Sequence, residues 1–93
     1  MMLPISWKIS ARSDLATIVR YIATRNIQAA RRMRQRLQEA VLPVAEHPYL
    51  YRQSDRYPGC REIVAHPNYI VVYRVERDAI SVLRVLHSRQ QYP

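Results

Sequence analysis

The sequence predicts an α+β fold of order β-α-α-β-β-β, with a helical hairpin packed on one face of a mainly antiparallel four-stranded sheet. Three observations lead there. The run Tyr69-Ile70-Val71-Val72-Tyr73-Arg74-Val75 holds β-branched or aromatic residues at six of seven positions, and both alternating faces are mostly apolar, as in a central strand. Turn signals at His66-Pro67-Asn68 and Glu76-Arg77-Asp78 bracket it, so Arg61 to Ala65 and Ala79 to Leu86 can fold back on either side as a meander. Upstream, two stretches repeat apolar residues at helical spacing with a minimal connection between them.

Taken in order, Ile5, Trp7 and Ile9 alternate with Pro4, Ser6 and Lys8, which marks a half-buried first strand. Pro4 lacks a donor and places the strand's start, or an edge, there. Trp7 shares the phase of two isoleucines and is expected to anchor the core. From Ala11 the period becomes helical, with Leu15, Ile18, Val19 and Ile22 on one stripe, Ser10 as cap and Asp14 suited to the helix dipole. Thr24-Arg25-Asn26 breaks this run. Ala30, Met33, Leu37, Ala40, Val41 and Val44 then form a second stripe, which Pro43 should kink or end. The irregular stretch from His47 to Gly59 carries prolines, the sole glycine and three tyrosines, so it should lie against the domain, with Tyr49 and Tyr51 as packing residues. The last strand alternates Ile80, Val82, Arg84 and Leu86 against Ser81, Leu83, Val85 and His87. The expected core comprises Ile5, Trp7, Leu15, Ile18, Val19, Ile22, Met33, Leu37, Val41, Ile70, Val72, Ile80 and Val82.

A length of 93 residues fits one domain, residues 1–93, able to bury roughly 60 to 65% of its unfolded surface. Fifteen basic residues against seven acidic ones give a formal charge of +8, and Lys8 is the only lysine. Arginine in such excess favours bidentate contacts with carboxylates or phosphates, so the partner should be acidic. On the second helix Arg31, Arg32, Arg34 and Arg36 point outward with Gln35 and Gln38, answered nearby only by Glu39; this is either a solvated surface or a binding face. One cysteine, Cys60, excludes an internal disulfide and fits a small residue beginning a strand. No secretory signal or membrane-length apolar run is evident, so a soluble cytoplasmic protein is expected.

Several chemistries can be set aside. A single glycine cannot build a phosphate-cradling loop, and one cysteine with three scattered histidines has no zinc spacing, so neither metal nor cofactor is expected. No nucleophile elbow or paired carboxylates stand out. What remains is Arg61, Arg74, Arg84, His87, Arg89 and Tyr92. RNA can be cleaved without a metal by a base that activates its 2′-hydroxyl, arginines that stabilise the phosphate and an acid for the leaving oxygen. His87 could carry either proton, or it could be a strand-end histidine bonded to backbone. Arg74 and Arg84 could equally pair with Glu76 or Glu62.

Trp7, Asp14-Leu15, Tyr21-Ile22, Ala29-Ala30, Leu42, Pro48, Gly59-Cys60-Arg61-Glu62-Ile63-Val64, the Tyr69 to Val75 strand and Val85-Leu86-His87-Ser88-Arg89-Gln90 resemble the RelE/ParE superfamily of toxins from bacterial toxin–antitoxin systems. The match spans nearly the whole chain. Arg61-Glu62-Ile63-Val64 and the ending from His87 through Arg89-Gln90 to Pro93 are more similar to the ParE branch. The resemblance implies a toxin held inactive in a hetero-oligomer by a cognate acidic antitoxin, with Arg31, Arg32, Arg36, Arg74 and Arg84 as antitoxin-binding residues. ParE-like members are linked to poisoning DNA gyrase by binding, which would assign Arg61, His87, Arg89 and Tyr92 to the target. RelE-like members cleave mRNA in the ribosome, and the same four residues would then be catalytic. Against that alternative, RelE-like toxins tend to carry a basic residue on the middle of the second strand, where this chain has Val64-Ala65, and the lysine-rich patch is missing. Neither branch implies a small-molecule ligand or a membrane. A basic DNA-binding module is a third possibility, for which no helix-turn-helix or ribbon motif is apparent.

Overall fold

The structure, a computed structural model, describes residues 2–89. Its elements are β1 (Ile5–Trp7), α1 (Ile9–Ala23), α2 (Ile27–Glu39), a 3-10 turn (Leu42–Ala45), β2 (Arg61–His66), β3 (Tyr69–Val75) and β4 (Ile80–His87). The sheet order is β1-β4-β3-β2, with β2-β3-β4 the expected antiparallel meander and β1 parallel to β4 at its edge.

β3 is apolar on both faces because both faces are covered. On one side Val71 and Tyr73 join Leu15, Leu37, Val41, Val44, Ile63, Ile80, Val82 and Val85 beneath the helical hairpin. On the other, Ile70 and Val72 join Cys60 and Leu86 under Tyr57 and Leu83. The core is therefore two clusters, one through each face of the sheet. Leu15, Leu37, Val41, Ile70, Val72, Ile80 and Val82 are buried as expected, whereas Ile5, Trp7, Ile18, Val19 and Met33 are half-buried at the margin of the hairpin-side cluster.

Local chemistry corrects one detail and bears out another. Ser10 does not cap α1: the helix begins two residues earlier than Ala11, Lys8 is its N-cap, and the Ser10 hydroxyl donates to Leu83 O at 2.6 Å, tying α1 to β4. Asn26 caps α2 by accepting from Ala29 N at 2.9 Å, as its residue type allows. The second helix ends at Glu39, ahead of Pro43, whose missing N–H suits the first turn of the 3-10 segment instead.

The loop from His47 to Gly59 is clamped by Glu62, a carboxylate with a fully buried side chain. It takes Arg52 Nη2 at 3.2 Å on one oxygen and the Ser54 hydroxyl at 2.6 Å on the other. Ser54 Oγ in turn accepts from Arg56 N at 3.1 Å and Tyr57 N at 3.0 Å. A buried charge persists only when its lone pairs are filled in this way. Tyr51 packs against the core as expected, but Tyr49 does not; it is 67% exposed. Gly59, at φ +81°, supplies the left-handed turn that brings the loop into β2. No helix among the described residues is long and apolar enough to cross a membrane.

Candidate functional site

Sheet register decides which of the candidate residues meet. Arg61 lies opposite Tyr73, while His87 lies opposite Tyr69. Four residues of β3 separate the two positions, roughly 13 Å at ~3.3 Å per residue. Arg61 and His87 therefore sit toward opposite ends of the sheet. Tyr92 lies outside the described residues.

At the His87 end, three rings line up across neighbouring strands. His66 and Tyr69 are tilted with centroids 5.7 Å apart, and Tyr69 meets His87 edge-on at 5.5 Å. Each histidine uses Nδ1 to accept the backbone N–H two residues on, Asn68 N for His66 and Arg89 N for His87, at 3.0 and 3.1 Å. In the neutral ring this places the proton on Nε2. Partial burial, then the nearby Arg36 guanidinium, push the His66 pKa below its ordinary value. The backbone-bonded reading of His87 thus holds, beside an edge-on tyrosine that sequence reasoning did not assign to the site. A shallow hollow joins this end to α1 through Ile18, Tyr21 and Tyr69, and Arg25 lies 5.1 Å over the Tyr21 ring.

The remaining arginines have partners of their own. Arg61 donates to Tyr51 O at 2.7 Å and its guanidinium lies 4.9 Å from the Tyr49 ring centre, so it braces the loop rather than standing exposed. Arg74 pairs with Glu76 at 3.1 Å on the surface, one of the two carboxylates expected for it. Arg84 pairs with neither; Asp14 of α1 holds it through both oxygens at 2.7 and 3.2 Å and also accepts Val85 N at 2.9 Å. Asp14 therefore ties α1 to β4 instead of serving the helix dipole. Sequence distance hid this contact, which spans seventy positions.

Arg31, Arg32 and Arg36 lie exposed on α2, with Arg36 Nε donating to Ala65 O at 2.9 Å. Beside this helix runs a groove of roughly 790 Å³ between β1, α1 and α2. Ile5, Trp7, Leu15 and Val19 supply apolar walls, and Arg12, Arg20 and Arg34 stand over them. The ion pairs Arg52–Glu62, Arg74–Glu76 and Arg84–Asp14 involve none of these three arginines. The groove was not foreseen from the sequence, although the spacing of Arg12, Ala16 and Arg20 beside Leu15 and Val19 already aligns a basic and an apolar stripe on α1. A second hollow follows where α2 ends, lined by Met2, Leu42 and Pro43 with Glu39 and Glu46. Here the charge is negative.

This arrangement offers grooves and arginines suited to a peptide, and a histidine at the end of β4 whose Nδ1 is taken by the Arg89 backbone N–H. Comparison with known proteins narrows the choice. A chromosomal ParDE TA system from P. aeruginosa superimposes with a TM-score of 0.79 at 24% identity, covering 92% of this chain and 96% of that one. The conserved hypothetical protein HP0894 from Helicobacter pylori follows at a TM-score of 0.59 and 18% identity, covering 96% and 98%. In sequence, a protein of Sinorhizobium fredii named as a candidate toxin, Y4kP, is 38% identical over 96% of this chain and 92% of its own. Toxin RelE2 of Caulobacter vibrioides is 32% identical over 94% and 97%. Residues 5–92 match the family described as the ParE toxin of the type II toxin–antitoxin system parDE, and the chain therefore belongs to the ParE family of type II toxins.

Proposed function

We propose that this toxin acts in the cytoplasm by binding, with DNA gyrase as its target, and that a cognate acidic antitoxin neutralises it. The observation that supports the binding mechanism is the separation of Arg61 from His87 along the sheet. Metal-free RNA cleavage needs phosphate-stabilising cations and proton carriers within hydrogen-bond reach of one phosphodiester. A protein surface can instead engage both ends of the sheet at once, because an ordinary interface is wide enough to span them. His87 and Arg89 at one end and Arg61 at the other, with Tyr92, are the target contacts in this reading.

For the antitoxin, the exposed guanidinium groups of Arg31, Arg32 and Arg36, with Arg74 at the sheet end, offer charge-assisted hydrogen bonds to carboxylates. Arg84 contributes by holding α1 against β4 through Asp14. An acidic segment that folds on binding uses such paired charge together with apolar grooves. Arg32→Glu with Arg36→Glu should weaken antitoxin binding without unfolding the domain.

Supercoiling by purified gyrase, measured beside primer-extension mapping of cuts in mRNA on translating ribosomes, tests the target. Loss of supercoiling with intact transcripts is expected. A ribosome-dependent endonuclease is the second reading, favoured by the identity to a protein named RelE2 and by the exposure of His87 and Arg89 at the end of β4. Transcript cuts that disappear in His87→Ala or Arg89→Ala would establish it and overturn the binding mechanism.

A further inference from the structure

The positive charge of the chain is unevenly placed. Residues 8–39, which span the helical hairpin, hold eight basic residues and two acidic ones, a net +6, whereas residues 40–93 hold seven basic and five acidic. Both hairpin carboxylates are already engaged: Asp14 holds Arg84 of the sheet, and Glu39 accepts Gln35 Nε2 at 3.0 Å. Arg12, Arg20, Arg25, Arg31, Arg32 and Arg34 are exposed and pair with no carboxylate among the described residues. Arg52, Arg74 and Arg84, outside the hairpin, each have one.

Length and spacing fit a particular polyanion. α1 and α2, of 15 and 13 residues, make this face about 20 Å long at ~1.5 Å per residue. Duplex DNA carries one negative charge per ~1.7 Å of its axis, so about twelve phosphates lie along that length and roughly half of them face one side. The six arginines match that half.

The residues between the arginines favour phosphate over protein. Ser13, Thr17, Gln28, Gln35 and Gln38 are exposed there, hydroxyls and amides that can donate to phosphate oxygens. The large exposed apolar residues of the hairpin, Ile9, Tyr21 and Ile27, lie at its ends, and Arg25 covers one face of the Tyr21 ring. The groove walls Ile5, Trp7, Leu15 and Val19 are half-buried or buried beneath this surface. A protein partner needs an apolar or aromatic centre, and a single strand needs open rings for its bases. The outer surface has neither along its middle. Both helices also lie flat, α1 on β4 and α2 on β2 with Leu15 and Leu37 in the core, so neither can enter a major groove to read bases.

We propose that the outer face of the hairpin binds the phosphate backbone of duplex DNA without sequence preference. This goes beyond the gyrase reading and does not depend on it. If gyrase is the target, toxin held on the enzyme's own substrate gains effective concentration there. Arg31, Arg32 and Arg36 are also antitoxin contacts in the reading above, so the duplex takes this face in the free toxin.

Fluorescence anisotropy of the full chain with labelled 20-base-pair duplexes of two unrelated sequences, across 50–200 mM salt, tests this. About five phosphate contacts predict a slope of log affinity against log salt near −4.5, a loss of about 10²–10³-fold over that range. The two duplexes should bind within about twofold of each other. Arg31→Gln with Arg32→Gln, exposed changes that should leave the urea midpoint unmoved, should shift the slope to about −2.7, at ~0.9 per contact. Arg74→Gln with Arg77→Gln removes the same charge from exposed positions off the hairpin and should leave the slope within about 0.5 of the unaltered value. Equal slope changes in the two double variants, or none in the first, would overturn the proposal. A single strand, an RNA duplex or a polyglutamate peptide of equal charge bound more tightly than the DNA duplex would overturn it as well, the last by assigning the face to an acidic protein. Unaltered toxin that binds the duplex as described yet leaves supercoiling by gyrase untouched removes the gyrase reading and leaves this one standing.

Discussion

Removing Asp14 should show how strongly one largely buried carboxylate ties the hairpin to the sheet. In Asp14→Ala, Arg84 loses a bidentate partner and Val85 N loses its acceptor. The orphaned backbone donor costs about 1–2 kcal/mol, because water reaches it only in part. Arg84 adds about 1 kcal/mol; its side chain is 33% exposed, so solvent screens part of the lost pairing. The sum, about 2–3 kcal/mol, is a large share of the ~5–15 kcal/mol that holds a small domain together. Urea unfolding followed by far-UV circular dichroism should show a lower midpoint with an unchanged slope. Thermal unfolding should fall by roughly 10–20 °C at ~4–8 °C per kcal/mol. Asp14→Asn retains one acceptor oxygen for Val85 and should lose less. In Arg84→Met the further loss of Asp14 should cost about 1 kcal/mol less than it does in the unaltered chain, the signature of a coupled pair. A loss below ~0.5 kcal/mol in Asp14→Ala would refute the reasoning and make the contact an ordinary surface ion pair.

Three further outcomes follow from the same geometry. Glu62→Ala, which leaves Ser54 and Arg52 without their shared acceptor, should destabilise the domain by about 3 kcal/mol and sharply raise proteolytic nicking between Tyr51 and Gly59; uncut protein under native conditions would contradict it. Tyr73→Phe removes the hydroxyl that donates to Pro48 O at 2.7 Å beneath the loop, and should cost roughly 1–2 kcal/mol in the same urea assay. For His66 the folded pKa lies below the unfolded value, so the unfolded chain binds more protons in the window just below the ordinary histidine value. Stability should therefore fall as pH drops through that window and level off below the folded pKa; His66→Asn should flatten this slope, and an unchanged pH profile would count against the assignment.

The fold was legible where burial and pattern agree. β3 begins and ends at the residues read from the sequence, since a strand buried on both faces leaves an unbroken apolar run between two turns. β2 extends to His66, one residue beyond its expected run, because His66 pairs with Tyr69 across a bulge, whereas β4 spans Ile80 to His87, the residues whose alternation marked the last strand. The parallel pairing of β1 was not legible, since alternation in three residues carries no direction. Capping misled at Ser10: a hydroxyl near a helix start has more than one backbone group within reach, and here Leu83 O takes it.

The site was less legible than the fold. Composition favours an acidic partner, but residue type alone cannot tell an arginine that faces solvent from one already satisfied. Arg84 and Arg61 have the same character in the sequence as Arg32, yet one is held by a carboxylate seventy positions away and another by a loop carbonyl. Tyr49 shows the converse, an aromatic expected to pack that instead lies open against the Arg61 guanidinium. Register, a long-range property, sets the distance between Arg61 and His87, and no local pattern encodes it.

Binding and turnover differ in stoichiometry, and that difference tests the central claim most directly. Purified toxin titrated against a fixed amount of gyrase should abolish supercoiling only as it approaches the enzyme's own concentration, with inhibition released by the antitoxin and mRNA on translating ribosomes left intact. Cutting of many transcripts by each toxin molecule, with gyrase unaffected at equimolar toxin, would contradict the account.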